Sequence, residues 1–244
     1  MKYLKLFENF NDYDPYELMI TPSNKKGEML ISEIRKPEPN LNIVRDLITL
    51  GANLDWQDKD GMTALHWCAR ANRPEIARML IDAGADLNIQ HNDGSTALHM
   101  CTRYNLPEIA RMLIDAGADV NIQEEYGITA LHRCADMNHS RIARMLLDAG
   151  ADLNIQNDYG RTALYLSVYW NRPEITRMLL DAGADVNVQD GDGWTALHYC
   201  ARANRPEIAR MLIDAGADKT IPNNNGKLPY EFAKTEELKE LLKP

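Results

Sequence analysis

The chain has 244 residues, of which 45% are hydrophobic and 26% are charged, and its formal net charge at pH 7 is −9. This composition is that of a globular protein rather than a disordered one, and no apolar run approaches the roughly 20 residues that a membrane-spanning helix needs. The excess of acidic residues argues against sequence-independent nucleic-acid binding, which requires clustered Lys and Arg side chains. We therefore expect a cytoplasmic protein with no membrane segment and no nucleic-acid partner.

The first 27 residues differ from the rest of the chain. They contain a short apolar stripe that is broken at Glu8 and consists of Tyr3, Leu4, Leu6, Phe7 and Phe10. A secretory signal would need a longer apolar run. The segment 1–27 is predicted either to cap the first helical hairpin or to act as a docking peptide. Residues 1–10 also resemble the beginnings of bacteriophage and other viral proteins, and that resemblance implies a host-directed inhibitor in the host cytoplasm.

Residues 28–57 are predicted to form a degenerate first repeat. The stretch from Leu41 to Gln57 aligns without a gap with the second helix and exit loop of the repeats described next. The helix before it is expected to be interrupted by Pro37 and Pro39, because proline removes a backbone donor and clashes with the preceding turn.

Five complete repeats of 33 residues are predicted over positions 58–222. Their common marker is a glycine that recurs at this spacing, at Gly61, Gly94, Gly127, Gly160 and Gly193, with Gly226 following. In the first of these repeats the glycine opens the stretch Gly61-Met62-Thr63-Ala64-Leu65-His66, and a second shared stretch runs from Pro74 to Asp86. A fixed period of this length is typical of stacked repeat architectures.

These motifs resemble those of the ankyrin-repeat family, which has the same period and the marks T-P-L-H and G-A-D-V-N. The resemblance covers all five full repeats. It implies an all-α fold, an ankyrin-repeat solenoid of stacked helix-turn-helix units with short β-hairpin loops. In each tetrapeptide Ala stands where the family has Pro, and Ala remains a good helix former.

The first full repeat shows why two short helices are expected. Leu65, Cys68 and Ala69 stand at i, i+3 and i+4, and the same spacing returns from Ile76 onward, which indicates two amphipathic helices. The turn between them holds Asn72, a residue type that tolerates the left-handed conformation. Helices this short are marginal alone in water, so each repeat is expected to bury its apolar face on its neighbours.

Residues 223–244 are predicted to be a C-terminal capping repeat. They keep Gly226 and then depart from the pattern at Leu228. Charged side chains make the last predicted helix hydrophilic, namely Glu236, Glu237, Lys239 and Lys243. A polar outer face is what the terminal repeat of a solenoid needs.

The cysteines and histidines recur with the repeat. One register position holds Cys68, Cys101, Cys134 and Cys200, and another holds His66, His99, His132 and His198. Helices of neighbouring repeats pack about 8–10 Å apart. This spacing exceeds the roughly 4.4–6.8 Å that a disulfide allows between Cα atoms, and it keeps two such histidines from sharing a zinc ion. The cysteines are therefore expected to be buried and reduced. In the family that the sequence resembles, the histidine ties the turn to the neighbouring unit.

Catalytic motifs are missing from the sequence. The stretches Asp58–Gly61 and Asp190–Gly193 resemble the start of a calcium loop, but Ala69 and Ala201 stand where the loop needs its glutamate. Nucleophile elbows, Walker loops, dinucleotide fingerprints and zinc-protease motifs do not occur. We therefore predict that the protein is not an enzyme and needs no metal and no cofactor.

Positions that differ between repeats are the candidates for binding a partner. They lie at the loop tips and on the last turn of each first helix, which line the concave binding surface in the resembling family. Residue types enriched in interfaces gather there in repeats two to five. They are Arg103, Tyr104, Tyr126, Ile128, Met137, Tyr159, Arg161, Tyr169, Trp170 and Trp194. Part of this set could instead pack between repeats. The fourth repeat is the predicted centre, because it gains Trp170 while Tyr165 and Ser167 replace the shared His and Cys.

Two functions fit this pattern. The first is a monomeric, non-enzymatic interaction module that binds another protein, as an inhibitor or an adaptor. The alternative is a module that stacks a nucleotide-like small molecule on the groove aromatics. In that case the stacking rings would be those of Tyr169, Trp170 or Trp194, and the phosphate contact would come from Arg133 or Arg161.

Overall fold

In the computed structural model, which describes residues 15–244, the secondary structure is almost entirely α-helical. In chain order the helices are α1 (Pro15–Ile20), α2 (Ser23–Ile34), α3 (Leu41–Thr49), α4 (Ala64–Ala71), α5 (Pro74–Asp82), α6 (Ala97–Arg103), α7 (Pro107–Asp115), α8 (Ala130–Met137), α9 (Ser140–Asp148), α10 (Ala163–Tyr169), α11 (Pro173–Asp181), α12 (Ala196–Ala203), α13 (Pro206–Asp214) and α14 (Glu236–Leu242). Short 3-10 turns lie at Glu125–Gly127 and Pro229–Phe232. The predicted all-α class is confirmed. The chain divides between Asp119 and Val120 into two compact units.

The first unit consists of α1 followed by three helical hairpins, α2–α3, α4–α5 and α6–α7. The first helices of the hairpins pack side by side, with α4 in contact with both α2 and α6. The second helices form the other layer, in which α5 contacts α3 and α7. The core between the layers is apolar and includes the fully buried side chains of Leu30, Ile34, Leu47, Leu65 and Leu80.

The first hairpin begins earlier than the sequence predicts. Helix α2 starts at Ser23 and continues through Gly27, so the predicted boundary between residues 27 and 28 falls inside a helix. Gly27 suits this place because a Cβ there would lie 2.5 Å from the carbonyl oxygen of Asn53. The expectation that Pro37 and Pro39 interrupt the helix is wrong, since both lie in the turn between α2 and α3.

The second unit repeats this plan with α8–α9, α10–α11 and α12–α13. Helix α10 contacts α8 and α12, and α11 contacts α9 and α13. The 3-10 turn Pro229–Phe232 packs on α12, while α14 packs on α13. The core again consists of leucine and isoleucine side chains, among them Leu131, Ile142, Leu164, Leu179 and Leu212.

Local sequence rules build each hairpin. In the first full repeat the backbone N–H of Thr63 donates to Nδ1 of His66 at the start of α4. Asn72 ends that helix with a φ of 51°, and Pro74 is the first residue of α5, where its missing donor does no harm. The predicted left-handed turn is therefore confirmed, and it recurs at Asn105, Asn138, Asn171 and Asn204.

Polar side chains fasten each repeat to the next within a unit. The side-chain oxygen of Asn88 accepts a 2.9 Å hydrogen bond from the backbone N–H of Asp119. The Nε2 atom of His66 lies 3.0 Å from the carbonyl oxygen of Ser95 and, because its partner is an acceptor, is the protonated nitrogen. Equivalent bonds to the next repeat come from Asn121, Asn154, Asn187, His132 and His198.

The loops between repeats are tight turns whose ends are joined by backbone hydrogen bonds, as between the N–H of Asp58 and the carbonyl oxygen of Met62 at 3.1 Å. In the first full repeat, Oδ1 of Asp58 accepts hydrogen bonds from the backbone N–H groups of Asp60 and Met62, both at 3.0 Å. An Asx turn of this kind closes the loop within a few residues, so little backbone is left extended for strand pairing. Within residues 15–244 no strand forms, and a single antiparallel bridge joins Glu124 to Ile128.

The N-terminal segment is described only from residue 15. The apolar stripe predicted at residues 3–10 lies outside the described residues.

Lys26 is buried in α2, and its Nζ donates to the carbonyl oxygen of Leu50, just after α3, at 2.8 Å. In the described part of the chain no helix has both the length and the hydropathy to cross a bilayer.

Candidate functional site

The second unit contains a groove of about 300 Å³ that brings several predicted site residues together. The predicted residues that line it are Ile128, Tyr159, Arg161, Tyr169 and Trp170. Its other lining residues are His132, Arg133, Asp136, Asn157 and Leu166. Trp170 follows α10, and the others belong to α8, α10 and the loop tips that precede these helices, so the groove lies between the third and fourth repeats.

An aromatic pair stands at the mouth of the groove. Tyr169 is the last residue of α10 and Trp170 follows it. Their side chains are 41% and 47% exposed, and their rings meet edge to face with centroids 5.1 Å apart. Such a pair presents a large apolar surface in a geometry that is already fixed, which reduces the entropy lost when a ligand binds.

Tyr165 supports this pair from inside the unit. Its side chain is only 4% exposed, and its ring stacks on that of Tyr169 and meets the edge of the Tyr199 ring at 4.5 Å. Burial, together with the neighbouring Tyr199 hydroxyl, raises the pKa of Tyr165 far above its usual range. The fourth repeat has therefore exchanged the shared histidine for a tyrosine that packs beneath the groove aromatics.

The missing cysteine of the fourth repeat is explained by a buried hydrogen bond. The Oγ atom of Ser167 lies 2.9 Å from Oγ1 of Thr176 in α11, and both side chains are fully buried. In the third repeat the same two positions hold Cys134 and Ala143, an apolar pair. Thr176 was not predicted, although an Ala-to-Thr change at this register is visible in the sequence.

Arg161 lies among three tyrosine rings. Its Cζ atom is 5.1 Å from the ring centroid of Tyr165, 5.4 Å from that of Tyr159 and 6.0 Å from that of Tyr169. Its Nε atom is 3.9 Å from Oδ2 of Asp190, whose side chain is buried. The rings and the carboxylate hold the guanidinium in place and offset its charge.

An ion pair shapes the third loop tip. Arg133 donates to the carboxylate of Glu124, whose side chain is buried. Glu124 occupies the place where the next tip has Asn157, whose shorter side chain accepts from the backbone amides of its own turn.

In the third tip Tyr126 adopts a φ of 64°, which is uncommon for a bulky residue, and its side chain is exposed. Backbone strain of this kind is concentrated at functional sites.

Asp136 contributes an unpaired carboxylate to the groove. The side chain is half-buried, and among the described residues no cation or hydrogen-bond donor reaches its carboxylate. Asp136 was not among the predicted site residues. A signal was present, because the same register position holds arginine in three other repeats, at Arg70, Arg103 and Arg202.

The other predicted site residues lie outside the lining of this groove. Trp194 is half-buried, and its ring centroid is 4.6 Å from that of Phe232 and 4.9 Å from that of Tyr199, so it packs between repeats. Tyr126 and Met137 are exposed in the second unit. In the first unit Tyr104 is exposed just after α6, and Arg103 is half-buried.

The recurring histidines and cysteines are buried, which indicates a structural role. Burial lowers the pKa of His132 from 6.5 to about 4, so its imidazole is neutral at physiological pH. Burial likewise raises the pKa of the Cys200 thiol to about 12, which keeps it protonated. The cysteines are free and buried. Across residues 15–244 no three His, Cys, Asp or Glu side chains are grouped so that they could hold a metal ion.

Comparison with known proteins identifies the architecture. A family model described as ankyrin repeats (3 copies) matches residues 34–124, 116–190 and 155–223. No curated protein sequence gives a significant match. Among solved structures, the chain is similar to the ankyrin repeat domain of Bcl-3, described as a unique member of the IkappaB protein family, with 27% identity, a TM-score of 0.80 and coverage of 92% of this chain and 98% of that one. It is also similar to the ankyrin repeat protein EF0377, with 25% identity, a TM-score of 0.68 and coverage of 73% and 95%. The fold is the ankyrin-repeat solenoid, and the chain belongs to the ankyrin-repeat family.

Proposed function

We propose that this chain binds another protein through the groove of its second unit. Ankyrin repeat domains generally mediate protein–protein interaction, and their fold is typically a non-enzymatic scaffold. The observation that carries the proposal is the exposed pair Tyr169 and Trp170 at the mouth of the groove. Large aromatic side chains that fill or line a pocket are the residues on which binding energy concentrates.

The repeat register supports a binding role for Trp170 rather than a structural one. In the first and fifth repeats the same position holds Ala71 and Ala203, so the fold itself does not need a large side chain there. The Trp170 ring remains about half exposed. An exposed tryptophan that the scaffold does not require is best explained by a partner that covers it.

The proposed binding set extends beyond the groove. Tyr126 and Met137 are exposed in the same unit, and Trp194 adds the uncovered part of its ring. Arg103 and Tyr104 belong to the set because they hold the register positions of Tyr169 and Trp170 in the second repeat. A module of this kind acts by covering or recruiting its partner, as an inhibitor or as an adaptor.

The test compares three immobilised proteins: wild type, Trp170→Ala and Arg177→Ala. Arg177 is exposed on α11 and serves as the matched control away from the groove. Proteins that wild type and Arg177→Ala retain from a cell lysate, and that Trp170→Ala loses, are identified by mass spectrometry and purified. We expect Trp170→Ala to weaken the purified complex more than ~20-fold, which is at least ~2 kcal/mol, with little change in melting temperature. Unchanged affinity in folded Trp170→Ala would contradict the proposed site.

The nucleotide-binding alternative is supported by the size of the groove and by its aromatic walls. Its arginines argue against it, because Arg133 is paired with Glu124 and Arg161 lies beside Asp190. Each guanidinium already has a neighbouring carboxylate, which lowers its attraction for a phosphate. Titration calorimetry with ATP and with GMP separates the two functions. We expect no heat of binding, whereas saturable binding that Trp170→Ala abolishes would favour the alternative.

A further inference from the structure

We infer that the groove receives an arginine side chain from the partner protein, with the guanidinium paired to Asp136 and stacked on the Trp170 ring. This inference rests on the proposed function and names the chemistry that the groove would recognise. Both side chains line the same groove in the second unit. The Asp136 carboxylate can accept hydrogen bonds from a guanidinium, and the Trp170 ring offers an aromatic face on which the guanidinium can stack.

The charges of the groove point to a cationic occupant. Arg133 is paired with Glu124, and Arg161 lies 3.9 Å from the buried carboxylate of Asp190. The imidazole of His132, which also lines the groove, is neutral. Asp136 then contributes a carboxylate that makes no hydrogen bond or ion pair with a described residue, while the guanidinium of Arg172 donates to its backbone carbonyl oxygen at 3.3 Å. Since a half-buried carboxylate is poorly solvated, a cation that enters the groove gains more from it than it would in open water.

The Trp170 ring is the aromatic face still available to a cation. Arg161 already lies over the rings of Tyr159, Tyr165 and Tyr169. No cation of residues 15–244 occupies the Trp170 ring. The edge-to-face contact with Tyr169 holds the indole in position. Tryptophan is also the aromatic residue that attracts cations most strongly.

The geometry favours arginine over lysine. A planar guanidinium can stack on the indole while two of its N–H groups donate to one carboxylate, whereas an ammonium group cannot do both. The loop tips of the same unit add exposed acidic side chains, Glu125, Asp158 and Asp192. Together with the net charge of −9, they would attract a basic segment toward the groove.

The first test uses the full chain, isotope-labelled for NMR, with N-acetyl-arginine-N-methylamide as the probe. The neutral isostere N-acetyl-citrulline-N-methylamide is the matched control. The indole N–H signal of Trp170, assigned through its loss in Trp170→Phe, should shift saturably with the arginine probe. The citrulline probe should bind at least ~10-fold more weakly, because it lacks the charge that both contacts need.

Variants of Asp136 test the carboxylate. Asp136→Asn keeps the size of the side chain and should weaken the arginine probe at least ~5-fold. Asp136→Arg introduces the residue that stands at this register in three other repeats, so it should fold, and it should abolish the shift. Asp181→Asn, on the exposed face of α11, should leave binding unchanged. Equal binding of the two probes, or unchanged binding by folded Asp136→Asn, would overturn the inference.

Selection of a random-peptide display library on the full chain separates this inference from the proposed function. Peptides that share an arginine and need both Trp170 and Asp136 support both. Peptides that need Trp170 but share no arginine overturn the arginine inference and leave the proposed groove intact. Selected peptides that all bind equally well to Trp170→Ala overturn both.

Discussion

The guanidinium of Arg205 donates a 2.7 Å hydrogen bond to the carbonyl oxygen of Tyr169, 36 residues earlier in the chain. A second bond from the same nitrogen reaches the carbonyl oxygen of Val168. Arg205 precedes α13, whereas the two acceptors lie at the C-terminal end of α10, where carbonyl groups lack helical partners. Arg205 thus anchors the helix end that carries the groove aromatics.

The first prediction concerns this anchor. Arg205→Ala should lower the free energy of unfolding by about 1–2 kcal/mol, because charged hydrogen bonds to the carbonyl groups at the end of α10 are lost. It should also weaken partner binding several-fold, since Tyr169 and Trp170 lose their support. Arg73 makes the same kind of contact in the first unit, to the carbonyl oxygens of Lys36 and Pro37.

Arg73→Ala is therefore the matched control for the anchor. It should cost a similar amount of stability, measured by chemical denaturation, while it leaves the groove and its binding intact. If both variants weaken binding to the same extent, the effect of Arg205 is one of general stability and its positioning role is wrong.

A second prediction concerns the buried pair Ser167 and Thr176. Ser167→Cys and Thr176→Ala should each destabilise the protein by about 1 kcal/mol, because each leaves a buried hydroxyl or its partner less well satisfied. The double variant recreates the Cys and Ala combination of the third repeat, Cys134 with Ala143, and should recover most of the loss. A double-mutant cycle by urea denaturation measures this coupling. Simple addition of the two losses would show that the pair is not coupled.

A third prediction concerns the packing of Trp194 on Phe232, whose ring centroids are 4.6 Å apart. Phe232→Ala should lower the free energy of unfolding by roughly 2 kcal/mol, less than for a fully buried phenylalanine because the ring is half-buried. Removal of residues 223–244 should lower the melting temperature further and promote aggregation, since it exposes the apolar face of α12. Tyr230→Ala, at an exposed position, is the control. Unchanged melting after the truncation would contradict a capping role.

The fourth prediction is a loss of stability in mild acid. Burial lowers the pKa of His66 and of His132 from 6.5 to about 4, and burial also lowers the pKa of His198. Between pH 6.5 and pH 4 the unfolded chain binds protons at His66 and His132 that the folded chain does not. The free energy of unfolding therefore falls as the pH drops from 6.5 toward 4. His66 and His132 each contribute up to about 1.4 kcal/mol per pH unit to this slope.

The contribution of one histidine is isolated by comparison with His132→Gln. The variant should be less stable at neutral pH, but its free energy of unfolding should fall less steeply below pH 6.5 than that of wild type, as measured by denaturant titrations at several pH values. Parallel curves for the two proteins would mean that His132 titrates normally in the folded state.

Local features of the fold could be predicted because they repeat along the sequence. Asn72 in the left-handed turn and Pro74 at the start of α5 both follow from the conformational preferences of single residues. The start of α2 at Ser23 could not be predicted, because that segment lacks the repeat pattern. The loops were predicted as hairpins from the family resemblance, and Asx turns such as that of Asp58 close them within a few residues.

The site was predicted less completely, because exposure and pairing depend on neighbours that are distant in sequence. Register alone placed Trp194 with the exposed aromatics, but Phe232, from the segment where the repeat pattern fails, covers part of its ring. Asp136 was visible as a charge reversal among repeats. Only the structure shows that Arg133, three residues earlier, is engaged by Glu124 and leaves the Asp136 carboxylate without a partner.

The hydrogen bonds that join neighbouring repeats have a consequence for how the chain folds. They connect residues between 24 positions apart, as for Lys219 and Lys243, and 37 positions apart, as for Arg205 and Val168. In a chain of 244 residues, contacts over such short separations give a low relative contact order, which is associated with rapid folding. Folding can therefore nucleate wherever two adjacent hairpins meet and spread from there. A growing chain could begin to fold during synthesis, as soon as its second hairpin has left the ribosome.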